Sequence, residues 1–323
     1  MQRVFDKYIS YLRVERNVSP YTVRNYTTDL MDFFRFLGEK GTASLNEVGR
    51  HDVRNYLSRL MERGIAKSSI SRKLSAIRSF YRYLVSEGVL PENPLDGVSS
   101  PKLDKRLPSF LTVDETRRLL ESLNLTTAKG KRDLAFLELL YASGLRVSEL
   151  VQLDLPQVDL VGREIRVWGK GAKERVVLMG RPAAQALETY LSEGRAELLG
   201  KKKSKALFLS RYGRRLTARR VQQLLDSYAA RAGIGKKVHP HMLRHTFATH
   251  LLDGGADLRV VQELLGHARL SSTEIYTHVT HSRARKVYLS AHPMAREEST
   301  GGGNGAVPPA EEQGRDGGVE PGD

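Results

Sequence analysis

The sequence contains no cysteine, which excludes disulfides, thiol nucleophiles and thiolate-held zinc. It also lacks any apolar run near the roughly 20 residues that a membrane span needs. Its first residues, MQRVFDKYISYLRVER, are amphipathic and carry acids, unlike a secretory signal. A soluble, cytoplasmic chain is the expectation, with no membrane partner. Acids are scarce too: 37 Asp and Glu face 52 Lys and Arg, a formal net charge of +15. Such an excess meets a polyanion, a membrane surface or acidic partners, and nucleic acid leads on charge alone. With sulfur chemistry excluded, catalysis would rest on oxygen and nitrogen groups.

A length of 323 residues favours two domains over one. From Glu297 onward the chain is Gly, Pro and acid, with seven Asp or Glu against the single Arg315. That composition predicts a disordered tail over 297–323. Its net charge of −6 leaves +21 on the remainder, so the body that folds is more basic than the whole.

Residues 1–90 read as four helices. Ser19-Pro20 is an N-cap followed by a first-turn proline, and Val23, Tyr26, Leu30, Phe33, Phe34 and Leu37 then trace one buried face up to Gly38. Val53, Tyr56, Leu57 and Leu60 repeat the pattern, as do Ile70, Leu74, Ile77, Tyr81 and Leu84, with an initial helix around Phe5, Tyr8 and Leu12. Arg72, Lys73, Arg78 and Arg82 fall away from the apolar stripe of the fourth helix. They form either a solvated face or a phosphate-binding one.

Residues 91–110, with four prolines and no periodicity, read as an inter-domain linker. Beyond them Thr112 and Glu115 have capping-box spacing, and a helix over 131–143 stops at Gly144. The period then changes to short strand-like runs at 164–168 and 175–179, joined by GKGAKE, as either a hairpin or a three-stranded edge with 206–210. From Thr217 the helical pattern returns. The fold class is therefore mainly α with a small β-sheet: a helical N-terminal domain, then an α+β domain over 111–296.

Four segments of the second domain carry polar groups suited to chemistry: GLRVSEL (144–150), GKGAKER (169–175), HPHMLRHTFATHLL (239–252) and LLGHARLSSTEIYTH (264–278). Each has a plain structural alternative. Arg146 could simply pair with Glu149, Lys170 could cap a solvated hairpin, and His267 could be a turn histidine. His241 and Arg244 lie three apart at a helix start, about 60° around it, so both can face one ligand, and a helix N-terminus suits a phosphate. Tyr276 could be a helix residue with one buried face. His241 and His245 have the spacing of some zinc helices, but Met242 stands where a zinc protease carries Glu. No metal and no cofactor are expected.

Taken together, Arg146, Lys170, His241 with Arg244, His267 and Tyr276 nine residues later resemble, in order and spacing, the tyrosine recombinase (integrase) family. GLRVSEL, GKGAKER, HMLRHTFATHLL and IYTHV resemble its Xer branch. The likeness covers almost the whole chain, and the N-terminal helices resemble the family's SAM-like core-binding domain. Two departures stand out: VVLMG follows GKGAKER where the family commonly has a proline, and the acidic tail extends past the usual end.

The resemblance implies a DNA-breaking and rejoining enzyme that works through a covalent 3′-phosphotyrosyl intermediate and a Holliday junction. Tyr276 would be the nucleophile, preserving bond energy in a phosphodiester link so that no ATP is needed. Arg146 and Arg244, always charged and fork-shaped, would neutralise the phosphate as charge builds. His267 would add a hydrogen bond, Lys170 would protonate the leaving 5′ oxygen, and His241 would act as an acid/base group. Glu149 would orient Arg146. A clamp on double-stranded DNA would set 91–110 beside the duplex and turn Arg72, Lys73, Arg78 and Arg82 toward phosphates. Segment 281–295 would dock on a neighbouring subunit, giving a homo- or heterotetramer with a related recombinase. Chromosome dimer resolution at cell division is the implied role, with activation by a septal DNA translocase left open. The alternatives are an integrase of a phage or mobile element, a type IB topoisomerase, and a non-catalytic DNA-binding protein on the same scaffold.

Overall fold

The computed structural model describes residues 2–42, 44–101, 109–168, 174–266, 278–293 and 295. The chain divides into two compact units, Met1–Leu107 and Pro108–Asp323.

The first unit is a helical bundle of α1 (Gln2–Val14), α2 (Pro20–Glu39), α3 (Arg50–Glu62) and α4 (Lys67–Ser86). Ser19 caps α2 by accepting the Thr22 N–H at 3.2 Å, and Pro20 fills the first turn, where no donor is missed. The helix continues through Gly38 to Glu39, because one glycine costs only about 1 kcal/mol and the apolar face of α2 is already buried. Phe5, Tyr8, Leu30, Phe33, Leu37, Val53, Tyr56, Leu74, Ile77 and Phe80 converge in one core. Tyr8 meets Phe80 edge-on at 5.2 Å, and Phe33 meets Tyr56 the same way at 5.1 Å. Leu90, Leu95 and Val98 also lie in this core. The start of the stretch expected to be linker thus packs as part of the bundle, with Asn93 holding the Leu95 N–H at 3.1 Å. Residues 102–108 of that stretch lie outside the described residues.

The second unit opens with α5 (Val113–Glu121), started by the expected capping box: Thr112 accepts from the Glu115 N–H at 3.1 Å and Glu115 from the Thr112 N–H at 2.8 Å. Next come α6 (Ala128–Ser143) and α7 (Val147–Gln152), then β1 (Val158–Asp159), β2 (Glu164–Trp168) and β3 (Glu174–Leu178). A helix over α8 (Arg181–Thr189) passes through a π turn into α9 (Arg195–Leu199), and α10 (Ala218–Arg231), α11 (Pro240–Asp253), α12 (Leu258–Leu265) and α13 (His278–Ala291) follow. α6 is buried on nearly every side, including Phe136, Leu139 and Leu140, as befits a central helix.

The sheet is antiparallel in the order β1-β2-β3, with Val167 opposite Arg175 and Ile165 opposite Val177. The third strand is the two-residue β1, not 206–210. Residues 206–209 are wholly buried and make only single bridges, Asp154 to Ala206 and Leu209 to Arg215. Phe208 sits edge-on against Phe136 at 6.2 Å instead.

A smaller cluster joins Phe247, Leu251, Val261 and Leu265 to Tyr288, Ala291 and Ala295. It seats α13 on α11 and α12 of its own chain, and Arg285 donates to Glu164 of β2 at 3.1 Å. In this single chain, then, the C-terminal helix has its seat on its own unit. Among the described residues, no helix is long and apolar enough to cross a membrane.

Candidate active site

Gly144 ends α6 in the left-handed conformation, φ +59°, where a side chain is strained. A Cβ there would stand 2.6 Å from the Phe247 ring and 3.0 Å from Leu265. Only glycine lets the end of α6 approach α11 and α12 so closely. Two residues later Arg146 is the N-cap of α7, so this turn sets where its side chain starts.

Arg146 is held twice by Glu149: its backbone N–H donates at 2.8 Å and its Nη1 at 3.0 Å. Its side chain is 39% exposed, whereas that of Glu149 is 8% exposed. From β3, Arg175 donates to both oxygens of the same carboxylate, Nη1 at 2.9 Å and Nη2 at 3.0 Å. One carboxylate thus lies between two guanidiniums. Burial alone would raise the Glu149 carboxyl, but hydrogen bonds from Arg175 and Arg146 outweigh it and leave the group below its ordinary value.

Arg244, on the second turn of α11, donates Nη1 to the Gly144 carbonyl at 2.5 Å and Nη2 to the Leu265 carbonyl at 2.6 Å. These carbonyls belong to the C-terminal ends of α6 and α12, where helix dipoles present partial negative charge. Burial, with Arg146 and Arg175 nearby and Glu149 opposing them, brings Arg244 down to about 10, so it stays charged at neutral pH. Arg146, Arg175, Arg244 and Glu149 together leave an excess of two positive charges around one turn. That is the electrostatics of a site for a dianion or for a phosphodiester acquiring a second negative charge.

Of the residues expected from the sequence, Arg146, Glu149 and Arg244 are brought together. His241 lies one turn before Arg244 and is exposed, while His239 caps α11 by accepting the Met242 N–H at 3.1 Å. Lys170, His267 and Tyr276 lie outside the described residues. In sequence, Lys170 falls between β2 and β3, His267 follows the last residue of the α12 cap, and Tyr276 precedes α13 by two positions.

In the first unit, Lys73 is turned inward, bound to Asp32 at 2.8 Å and Asp29 at 3.5 Å, and Arg72 also donates to Asp29. Arg78 donates to Ser100 at 3.0 Å and to the Val98 carbonyl. Arg82 is exposed. Arg175 was not singled out in the sequence as a member of this cluster, yet the signal was there. In the strand ERVVL, period-two alternation puts Arg175 on the same face as buried Val177, and a charge on a core face needs a partner.

The chain matches the family model described as Phage integrase family over residues 109–283, and the Phage integrase, N-terminal SAM-like domain, over 5–88. It is 48% identical over 300 residues to a tyrosine recombinase XerC of Pelotomaculum thermopropionicum, covering 90% of this chain and 98% of that protein. It is 44% identical over 290 residues to the tyrosine recombinase XerC of Bacillus subtilis, covering 89% and 95%. Among solved structures, it resembles the XerH site-specific recombinase bound to a palindromic difH substrate in a post-cleavage complex. There the TM-score is 0.65 at 25% identity, over 84% of this chain and 80% of that one.

Proposed function

Because the chain belongs to the phage integrase family, we propose that the arginine cluster around Gly144 is the phosphate-binding part of its active site. The chain is a site-specific tyrosine recombinase that breaks and rejoins DNA. One observation carries the assignment of its site: Arg146 and Arg244, about a hundred residues apart in sequence, meet at a single turn through the Gly144 carbonyl. Two fixed forks there can each take a non-bridging oxygen of the scissile phosphate.

Around that phosphate the remaining roles are those that the family resemblance implies. Tyr276 attacks phosphorus and leaves a 3′-phosphotyrosyl link, with a proton going to the departing 5′ oxygen. Lys170 supplies that proton, and His241 exchanges one with the tyrosine. His267 donates a hydrogen bond to the phosphate. Attack by the 5′ hydroxyl of another strand runs the same steps backwards, passing through a Holliday junction to a recombinant. Residues 1–90, extended by the packed stretch to Val98, are the DNA-binding domain and 111–296 the catalytic domain, with the remainder of 91–110 between them in sequence. Arg72, Arg78 and Arg82 face DNA phosphates, while Lys73, turned inward onto Asp29 and Asp32, does not share that role.

The partners are a double-stranded recombination site and further recombinase subunits. XerH is described bound to its difH substrate, and a lambda integrase of the same fold is described as a tetramer on a Holliday junction. The strong likeness to proteins named XerC supports resolution of chromosome dimers at cell division, a role carried out on DNA in the cytoplasm; activation by a septal DNA translocase stays open.

Covalent trapping tests the core of this assignment. Full-length protein and Tyr276→Phe are incubated with nicked duplexes carrying candidate chromosomal recombination sites. A denaturant-resistant adduct is expected with the first only. An adduct that survives in the phenylalanine variant would remove Tyr276 from the role of nucleophile.

A further inference from the structure

Arg175 is the one member of the cluster without a role in the chemistry above, and its position is costly. It sits on the inner face of β3, opposite Val167 and beside buried Val177, with a side chain only 17% exposed. Both its Nη groups are given to Glu149. Its Nε is buried without a partner among the described residues. Gly266 is what leaves room for it, since a Cβ there would stand 2.9 Å from that Nε. A residue serving only to fill the sheet would be apolar.

We propose that Arg175 is a positioning residue for the phosphate site: it holds the charge of Glu149 so that the carboxylate orients Arg146 without neutralising it. With Arg146 facing the scissile phosphate, as proposed above, the charges around Glu149 decide how strongly that phosphate is held. Glu149 must bind Arg146 to aim it, through the 2.8 Å and 3.0 Å hydrogen bonds. A carboxylate paired with one guanidinium leaves no net charge for an incoming anion. Shared bidentately with a second guanidinium, the same carboxylate leaves one positive charge, and that charge lies on the more exposed partner, Arg146. The less exposed Arg175 cannot reach a ligand, so it biases the site without touching the phosphate. In sequence, Lys170 falls between β2 and the strand that carries Arg175.

The test compares single-turnover cleavage by full-length variants on nicked duplexes whose scissile linkage is either the normal phosphodiester or a neutral methylphosphonate. Arg175→Ala is expected to slow phosphodiester cleavage by about 10²-fold, the scale of losing one preorganised charge contact. It should slow methylphosphonate cleavage by much less, because a neutral linkage needs less positive charge. Adding Glu149→Gln to Arg175→Ala removes the unbalanced carboxylate and should recover about tenfold of the loss. Arg175→Lys, which keeps the charge, should retain most of the rate and guards against a variant that merely fails to fold. Equal losses on both linkages, or no recovery in the double variant, would reduce Arg175 to a structural residue. Arg146→Ala on the same substrates separates the two assignments. If it leaves phosphodiester cleavage intact, the phosphate site itself is misassigned; if it abolishes cleavage while Arg175→Ala leaves the rate unchanged, only the positioning role falls.

Discussion

Glu138 shows how much a single buried charge can weigh. It lies on α6 at 6% exposure, its Oε2 has no hydrogen-bond partner among the described residues, and burial pushes its carboxyl up to about 7. Among the described residues, Tyr141 and Tyr288 are within its electrostatic reach. Tyr141 shares its hydroxyl with His250 Nδ1 at 2.8 Å. The neighbouring His292 ring, stacked on Tyr288 at 5.3 Å, is held neutral by burial, its value brought down to about 3. A carboxyl raised on folding binds its proton more tightly in the native state. Its contribution is therefore complete below the ordinary carboxylate value and is lost as pH rises to about 7. Glu138→Gln mimics the protonated form. It is expected to stabilise the catalytic unit by about 3 kcal/mol at about pH 8 and by almost nothing at about pH 4. Urea unfolding of the two proteins across that range measures the gap, and a gap that does not change with pH would count against a buried, proton-binding Glu138.

At the scale of elements, the seat of α13 depends on a missing methyl. A Cβ at Gly254, the C-cap of α11, would stand 2.1 Å from the Ala291 carbonyl oxygen. Gly254→Ala should therefore lift the C-terminal end of α13 while leaving α11 intact. Hydrogen exchange read by mass spectrometry is expected to speed up over 278–291 and to stay unchanged over 240–250. Gly38→Ala, in α2 with nothing within 4 Å of the added carbon, is the contrasting case and should be neutral or stabilising by up to about 1 kcal/mol. What the sequence disclosed at this scale follows signal length. α2 and α4, 20 residues each, carry enough turns for their apolar period to stand out, and the Thr112 box announces α5 by chemistry alone. β1 has two residues, too few for any period, so the apolar run at 206–210 took its place in the expectation. Leu95 and Val98 were hidden among prolines because their burial depends on neighbours far along the chain. The site was legible where residue types are unusual together, as at Arg146 and Arg244. Arg175 was not, since an arginine in a strand looks like a solvent-facing one until the register is known.

Over the whole molecule, charge is divided along the sequence: the tail from Glu297 carries −6 and the rest +21. A segment of that charge is expected to compete with DNA for the body's cations. A chain ending at Arg296 is expected to bind random-sequence duplex more tightly than the full chain at about 50 mM salt, with the difference closing by about 200 mM. Fluorescence anisotropy across that range measures it, and equal affinities at low salt would show that the tail does not screen the body. Reversibility belongs to this scale as well, because recombination ends only when every cut strand is resealed. The bonds from Arg244 to the ends of α6 and α12 form as the chain folds, long before DNA arrives, so no part of the binding energy is consumed in ordering that side chain. Taken as the phosphate site proposed above, an arginine set in this way presents the same face to intact, cleaved and exchanged phosphates. The direction of the reaction is then left to the strands themselves and to whichever subunits hold them.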